Sequence, residues 1–418
     1  MSAGLQPRSG WWQSDDALAR VLCDLIAAEG RRLRVSLRLP PGPWPRETAM
    51  ETLGFDSLDR IALAAAVSAL LHMHESGLVD SMQSAPGFGA WCDAARAALD
   101  RVHARLSFST SGSTGAPRSC THALADLEAE SDEHAALLGA TPGTRIARIL
   151  SAVPAHHIYG FLFTVLLPSR LDVPVLDIRP LSPGAVAACC RPGDLIVAYP
   201  ELWSAIARGA PAGWPPRVTG VTSTAPCPAG TARALTAAGL HRLLEIHGAS
   251  ETAGLGWRDD PAAPYSLFAH WRRLSDDRLG RPGSDTATAM PDRVDWCGPR
   301  AYRVRARHDG AVQVGGVNVW PDRVRDLLCR HPDVAAATVR LMNEVEGRRL
   351  KAFVVPAAHV TDLAALRDAL EALAATLSSA DQPRAWRFGP VLPSTTMGKA
   401  ADWTIDDPET APVRSPSG

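Results

Sequence analysis

The chain almost lacks lysine. Of 43 basic residues in 418, only Lys351 and Lys399 are lysines. In a sequence so biased toward arginine, a surviving ammonium points to a need for a compact, mobile point charge where arginine offers a planar fork. An excess of one charge is also missing. The 43 basic and 44 acidic residues leave a formal net charge of −1, which gives no reason to expect nucleic acid or an anionic membrane as a partner. Eight cysteines carry no C-x-x-C spacing, and Cys189 and Cys190 are adjacent and cannot readily clip two distant segments. Neither a zinc knuckle nor a disulfide framework is indicated. Long apolar runs are absent as well: the longest, Ile158 to Leu167, falls well short of the ~20 residues that span a bilayer. The opening MSAGLQPRSGWWQSDD lacks a charged start followed by an apolar core. A cytosolic protein with room for two or three domains is the expectation.

The most informative stretch runs from Leu106 to Arg118 and reads LSFSTSGSTGAPR. The alternation Leu106-Ser107-Phe108-Ser109 predicts a short buried strand, which feeds directly into small and hydroxyl residues. Gly112 and Gly115 let backbone N–H groups turn toward an anion, and Thr110, Ser111, Ser113 and Thr114 add hydroxyl donors. Polyphosphate suits such a loop. A Walker loop would need Gly-Lys-[Ser/Thr], whereas Gly115 is followed by Ala116-Pro117, so the common P-loop reading fails. A plain Ser/Gly linker would be longer and would seldom follow a strand so closely.

This loop resembles the T-S-G-[ST]-T-G-x-P-K signature of the adenylate-forming superfamily: acyl- and aryl-CoA ligases, luciferases and the adenylation domains of peptide synthetases. Arg118 stands where that family mostly has lysine, with charge kept. The resemblance implies an α/β fold of two domains, a large N-terminal core and a small mobile α+β C-terminal lid. It also implies ATP and Mg2+ as cofactors.

Residues 1–105 read as helical. Leu18, Val21, Leu22, Leu25 and Ile26 recur at helical spacing within Asp15 to Ala28, with Gly30 as the expected stop. A Pro-rich loop, Leu39 to Pro45, follows. Leu53-Gly54-Phe55-Asp56-Ser57-Leu58-Asp59 then opens a second helix through Leu71. The arrangement is similar to an acyl carrier protein, in which the serine of D-S-L bears phosphopantetheine, and this would make Ser57 a modification site. The alternative is a helix cap by Asp56 or Ser57, with Asp59 in the first turn. The family's long opening subdomain with its G-x-x-x-G-D-x-V stretch has no counterpart. The chain therefore looks like a shortened relative, most similar to short hydroxycinnamate and hydroxybenzoate ligases of the type that primes photoactive yellow protein.

The core is expected over residues 106–308, where helical stretches alternate with short apolar runs from Thr121 to Pro200, as a sheet flanked by helices requires. Pro154-Ala155-His156-His157-Ile158-Tyr159-Gly160 is similar to the family's P-x-x-H-x-[YF]-G motif, placing His157 at the acyl pocket. Arg217 to Pro226 reads as strand into turn, and Ser223, Thr224 and Ala225 sit where the family lines adenine and the acyl ring. His247-Gly248-Ala249-Ser250-Glu251-Thr252 resembles Y-G-x-T-E: Ser250 would meet the α-phosphate, and Glu251 would be the hard oxygen ligand for Mg2+. His247 replaces the usual tyrosine and keeps a flat ring that can stack on adenine. A helix-ending glycine followed by a capping serine is the structural alternative. Asp292, with Asp295 as fallback, matches the family's ribose-binding aspartate. Arg307 would contact ribose or phosphate, and Asp309 would be the hinge.

Residues 309–404 are expected to form the lid, leaving 405–418 as a disordered tail. Gly315 and Gly316 fall in a loop similar to the one that lines the pantetheine tunnel of aryl-CoA ligases, where close backbone approach would explain glycine. An amphipathic helix from Asp322 to Arg330, strands Ala335 to Leu341 and Leu350 to Val355, and a helix Leu363 to Leu377 follow. Pro393-Ser394-Thr395-Thr396-Met397-Gly398-Lys399 matches P-x-T-x-x-G-K. Lys399 is the expected catalytic cation, able to neutralise a carboxylate and an α-phosphate as they meet; Lys351 reads as structural.

The activity so implied is ATP-dependent activation of an aromatic carboxylic acid to an acyl-adenylate, then transfer to the thiol of CoA or of a phosphopantetheinylated carrier protein. A fatty acyl ligase and a non-catalytic carrier-docking module derived from an adenylating enzyme are the alternatives.

Overall fold

Helix α1 (Asp15–Leu33) starts where Ser14 caps it, the hydroxyl accepting from the Ala17 N–H. It does not stop at Gly30. A Cβ there would lie 2.7 Å from the Phe55 ring, so that glycine serves packing and the helix runs through it. In the computed structural model, residues 10–34, 37–111, 117–139, 145–209, 213–343, 346–393 and 401–405 are described. Of these, one compact unit takes in residues up to Ser111, Pro117–Met290 and Asp295–Arg303; a second takes in Pro291–Val294 and the chain from Val304.

In the first unit, α1 is tied to the segments behind the sheet strands. Asp24 accepts from the Ala155 N–H and from Arg179, both at 2.7 Å, and Arg20 donates to the Thr164 carbonyl at 2.6 Å. Helix α2 (Ser57–Leu71) opens with a capping box in which Asp56 and Asp59 each accept from the other's backbone N–H, at 2.9 and 3.1 Å. That is the capping geometry foreseen for Asp56; Ser57 is the exposed first residue of the helix. Helices α3 (Met73–Ser76), α4 (Val79–Ser84) and α5 (Phe88–Arg101) follow.

Strands β1 (Arg105–Ser111) and β2 (Pro117–Ala123) pair antiparallel, Leu106 opposite His122 and Thr110 opposite Arg118, and lead into α6 (Leu124–Gly139). The central sheet begins with β3 (Arg148–Ser151), followed by α7 (Ile158–Phe161), a π-helical segment Leu162–Leu166 and α8 (Leu167–Leu171). Then come β4 (Val175–Asp177), α9 (Pro183–Cys189), β5 (Asp194–Ala198), α10 (Pro200–Arg208), β6 (Thr219–Thr222), α11 (Ala229–Ala237), β7 (Arg242–Ala249), β8 (Ala253–Arg258) and β9 (Tyr265–Leu267). Strands β10 (Arg272–Arg273), β11 (Arg278–Gly280) and β12 (Ala287–Ala289) make a small sheet of their own, and β13 (Asp292–Trp296) and β14 (Ala301–Arg307) return to the large one. Its order is β13-β14-β9-β8-β7-β6-β5-β3-β4.

From β4 to β7 the sheet is parallel. Such strands are buried on both faces and read as unbroken apolar runs, as Leu195-Ile196-Val197-Ala198 does, fully buried. Ile196, Val186, Trp203, Trp214 and Leu235 pack in one cluster, and Gly220 makes room for Trp203, whose ring a Cβ would meet at 2.7 Å. The chain runs from β3 outward to β4 and then returns to place β5 on the other side of β3. Crevices for ligands form at such reversals, outside the carboxyl ends of the strands.

The second unit contains β15 (Val312–Val314) and β16 (Val317–Val319), α12 (Pro321–Leu328), β17 (Val334–Leu341), β18 (Leu350–Pro356), α13 (Leu363–Ala374) and β19 (Pro383–Phe388). The sheet order is β17-β18-β19, and β19 runs parallel to β18. Val324, Leu328, Leu350, Val354, Leu366 and Leu370 form its core. Lys351 is structural: its buried ammonium contacts Glu346 at 2.9 Å, Asp402 at 3.2 Å and the Trp403 carbonyl. Among the described residues no helix is long and apolar enough to cross a membrane.

Candidate active site

Behind β3 the chain turns through Pro154–His157 into α7. His157 sits at the helix N-cap with extended backbone, φ −87° and ψ 145°. Gly160 is required by contact: a Cβ would stand 2.0 Å from the Pro154 carbonyl oxygen. The His156 and His157 rings lie 4.3 Å apart. Burial lowers the pKa of both, with the second ring's charge adding to the effect on His156, so both imidazoles are neutral at neutral pH. His157 is exposed at the mouth of this turn. Tyr159 donates its hydroxyl to the Ala198 carbonyl at 2.9 Å and shares it with that of Val221 at 3.2 Å. It therefore clamps the carboxyl ends of β5 and β6 together. The π-helical segment begins two residues beyond Gly160, and such segments are frequent beside functional sites.

At the end of β6, the Ser223 hydroxyl donates to the Ile246 carbonyl at 2.9 Å and fastens this loop to β7. Thr224 has a positive φ of 77°, uncommon for a branched residue. Its hydroxyl is buried with no hydrogen-bond partner among the described residues, as is His156 Nδ1. Orphaned buried polar atoms at strand ends fit a polar ligand. Ala225 is the next residue along this loop.

His247, Gly248 and Ala249 end strand β7, so the reading of Gly248 as a helix stop is set aside. A bulge lies between His247 and Gly248, and a Cβ on Gly248 would come within 2.3 Å of the Ala253 carbonyl. Only glycine lets β7 and β8 close around the tight turn Ser250-Glu251-Thr252. His247 Nδ1 lies 2.9 Å from the Tyr302 hydroxyl, and its ring packs against Tyr265. The Ser250 carbonyl accepts from His122 Nε2 at 2.7 Å. A carbonyl cannot donate, so this bond fixes the His122 tautomer. Glu251 is exposed on this turn. It is near enough to Cys120 that its charge adds to burial in raising the thiol pKa. An exposed carboxylate fits Mg2+, which takes one or two protein oxygens and completes its shell with water and phosphate.

Behind that turn lies a network with no signature in the sequence. Glu130 of α6 is wholly buried and accepts from the Gly254 N–H at 2.9 Å. His134 Nε2 and His270 Nε2 stand 3.6 and 3.7 Å from its oxygens, and Glu133 holds His270 Nδ1 at 3.0 Å. Sequence reasoning missed Glu130, His122 and Tyr302 because each comes from a different element, with no local spacing to betray it.

Other expected residues belong to the second unit. Asp292 opens β13 and is buried; Asp295, three residues further along that strand, falls in the first unit. Arg307 and Asp309 pair with each other at 3.0 and 3.1 Å. Burial pushes the Asp309 carboxyl up, but Arg307 and the Ala311 N–H bring it below its ordinary value. Gly315 and Gly316 have φ of 59° and 77° between the paired residues Val314 and Val317. They make the two-residue hairpin turn that needs left-handed conformations, and no atom lies within 4 Å of a Cβ built on Gly315. The turn by itself requires glycine there. Arg118 lies exposed on β2 and Ser57 at the start of α2. Thr110 and Ser111 end β1. Gly112, Ser113, Thr114, Gly115, Lys399 and the tail from residue 406 lie outside the described residues.

His157, Tyr159, Ser223, Thr224 and Ser250-Glu251 thus come from segments behind β3, β6 and β7, at the carboxyl end of one parallel sheet. The result is an α/β fold whose parallel sheet gathers polar loops at its carboxyl edge, with a small α+β unit following it in the chain.

Residues 324–399 match the AMP-binding enzyme C-terminal domain. A 4-coumarate–CoA ligase of Rhodobacter capsulatus is 39% identical over 92% of this chain and 99% of its own length. One from Cereibacter sphaeroides is 36% identical, covering 93% and 96%. Among solved structures, an amide bond synthetase of Marinactinospora thermotolerans superposes with a TM-score of 0.59 at 18% identity over 92% of both chains. The chain belongs to the adenylate-forming superfamily.

Proposed function

We propose that this protein is an AMP-forming acid–thiol ligase that activates a hydroxycinnamate-type aromatic acid with ATP and transfers the acyl group to coenzyme A. The observation that carries the reading is likeness over nearly the whole length, at 36–39% identity, to proteins named 4-coumarate–CoA ligase. The gathering of polar loops at the carboxyl ends of β3, β6 and β7 supports it.

In the first half-reaction the acid's carboxylate attacks the α-phosphorus of ATP, and pyrophosphate leaves. The hydroxyl loop from Thr110 to Thr114, with Arg118, binds phosphate. Ser250 contacts the α-phosphate, and Lys399 neutralises the charge that builds between carboxylate and phosphate. Glu251 would hold Mg2+, which supplies charge neutralisation on the phosphate oxygens. Ser223, Thr224, Ala225, His247, Gly248 and Ala249 line the nucleotide, Asp292 and Arg307 hold ribose, and His157 closes the acyl pocket. In the second half-reaction the CoA thiol displaces AMP; the Gly315-Gly316 turn guides the thiol arm, and Asp309 is the hinge between the two steps.

Acid-dependent exchange of labelled pyrophosphate into ATP, run across hydroxycinnamates, hydroxybenzoates and fatty acids, tests the donor. Exchange greatest with a hydroxycinnamate is expected, and none with any acid would sink the proposal. Thioester formation with CoA against a pantetheinylated carrier protein decides the acceptor. Intact mass after co-expression with a phosphopantetheinyl transferase tests Ser57, and an unchanged mass removes that modification.

A further inference from the structure

The kink between α2 and α3 carries the sequence His72-Met73-His74-Glu75, well away in the chain from every residue assigned above. His72 takes a left-handed conformation, φ 53°, which ends α2 and folds three possible ligand atoms toward one another. His72 Nδ1 lies 3.1 Å from Glu75 Oε1, and His74 Nε2 lies 3.7 Å from the same oxygen. All three atoms fall within 4.8 Å of each other. Ligands on a tetrahedral ion with bonds of about 2.0–2.1 Å stand roughly 3.3 Å apart, so the first two distances already approximate edges of a coordination tetrahedron.

Support behind the ligands is also in place. His72 Nε2 is 2.8 Å from Ser107 Oγ, which is 2.7 Å from Thr121 Oγ1. That hydroxyl pair can run its protons in either direction. It gives a hydrogen to Nε2 when Nδ1–H bonds Glu75, and it accepts one from Nε2–H when the Nδ1 lone pair is engaged by a cation. Metal-bound imidazoles are ordinarily oriented through their second nitrogen in this way. The competitor is Arg105, which donates to Glu75 Oε1 at 2.6 Å. Its side chain is half exposed and can swing into water.

We propose that His72, His74 and Glu75 form a site for one Zn2+ ion, with a fourth position open to water. Two imidazoles and one carboxylate suit a borderline ion such as Zn2+ and not Mg2+, which takes oxygen ligands. The site is therefore chemically separate from the Mg2+ position assigned to Glu251. Ser107 is a positioning residue that acts through His72.

The test is calorimetric titration of Zn2+ into the chelator-stripped full-length chain, with metal content measured after dialysis. One tightly held Zn2+ per chain is expected. His74→Ala, at a largely exposed side chain, should leave the melting temperature of the metal-free protein unchanged and weaken binding at least tenfold. Ser107→Ala should weaken it about 10- to 100-fold, the usual cost of a lost outer partner. Zn2+ should raise the melting temperature of the parent and not of His74→Ala. The exposed thiols Cys297 and Cys329 are rival ligands, so the Cys297→Ser/Cys329→Ser variant must bind as the parent does. Absence of stoichiometric binding, survival of binding in His74→Ala, or its loss in the cysteine variant would each overturn the proposal.

Discussion

Replacing Glu130 by glutamine should change how stability depends on pH. The Glu130 carboxyl is fully buried, accepts the Gly254 N–H, and has one oxygen with no hydrogen-bond partner among the described residues. Burial is the main cause that pushes its pKa from 4.5 up to about 7, offset in part by His270, the Gly254 N–H and Arg281. Between those two values the unfolded chain has released a proton that the folded chain keeps. The folded state then binds more protons, so stability falls as pH rises through this window. At about 1.4 kcal/mol per pH unit, the loss amounts to about 3 kcal/mol once the pH has passed the folded value of about 7. His134 works in the opposite sense: burial lowers it to about 3, so its contribution is stabilising as pH rises toward 6.5. That contribution is common to parent and variant and drops out of their difference. Glutamine retains an oxygen for the Gly254 N–H and does not titrate. Urea unfolding of both proteins at pH 4.5 and pH 8 should therefore show the difference moving by about 3 kcal/mol in favour of Glu130→Gln. Parallel pH profiles would refute the assignment of a proton to this carboxyl in the folded protein.

Tyr159→Phe removes the hydroxyl that satisfies the carbonyls at the ends of β5 and β6 and should cost about 1–3 kcal/mol, read by thermal unfolding; an unchanged melting temperature would deny the clamp. Lys351→Met leaves Glu346 buried without its cation and should destabilise by about 3–5 kcal/mol. A smaller loss in urea would mean that Glu346 gains water instead. Lys399→Ala is expected to slow adenylate formation by about 10²–10³-fold while sparing CoA thiolysis of a supplied acyl-adenylate. Equal loss in both half-reactions would contradict its role. Gly160→Ala, whose Cβ would collide with the Pro154 carbonyl, should displace the His156-His157 turn and cost about 1–3 kcal/mol, with a rise in KM for the acid as the second readout.

Motifs dense in hydroxyls, glycines and rare residues were legible because their chemistry is local. The strand at Leu106–Ser109 and the cap at Asp56 each follow from a few adjacent residues. Boundaries were less legible where a glycine had two possible uses. Gly30, where a stop is expected, is a packing site inside α1, and Gly248 is a bulge in a strand. The choice among these depends on what lies across from the glycine, and spacing does not encode that. Strand β19 escaped because Pro383 to Phe388 shows no clear alternation, and its parallel place beside β18 is set by long-range pairing.

By itself, the amino-acid order set out the candidates for chemistry: a run of hydroxyls and glycines from Thr110 to Gly115, an acid at Glu251, and two lysines kept among 43 basic residues. Those properties reside in side-chain types and short spacings, so no folding is needed to read them. Only the tertiary structure decided that segments after β3, β6 and β7 share one edge of a sheet, that Tyr159 joins two of those strand ends, and that Glu130 is sealed beneath the Glu251 turn. Parallel strands bring together residues far apart in the chain, and burial then sets which of them keep or lose a proton.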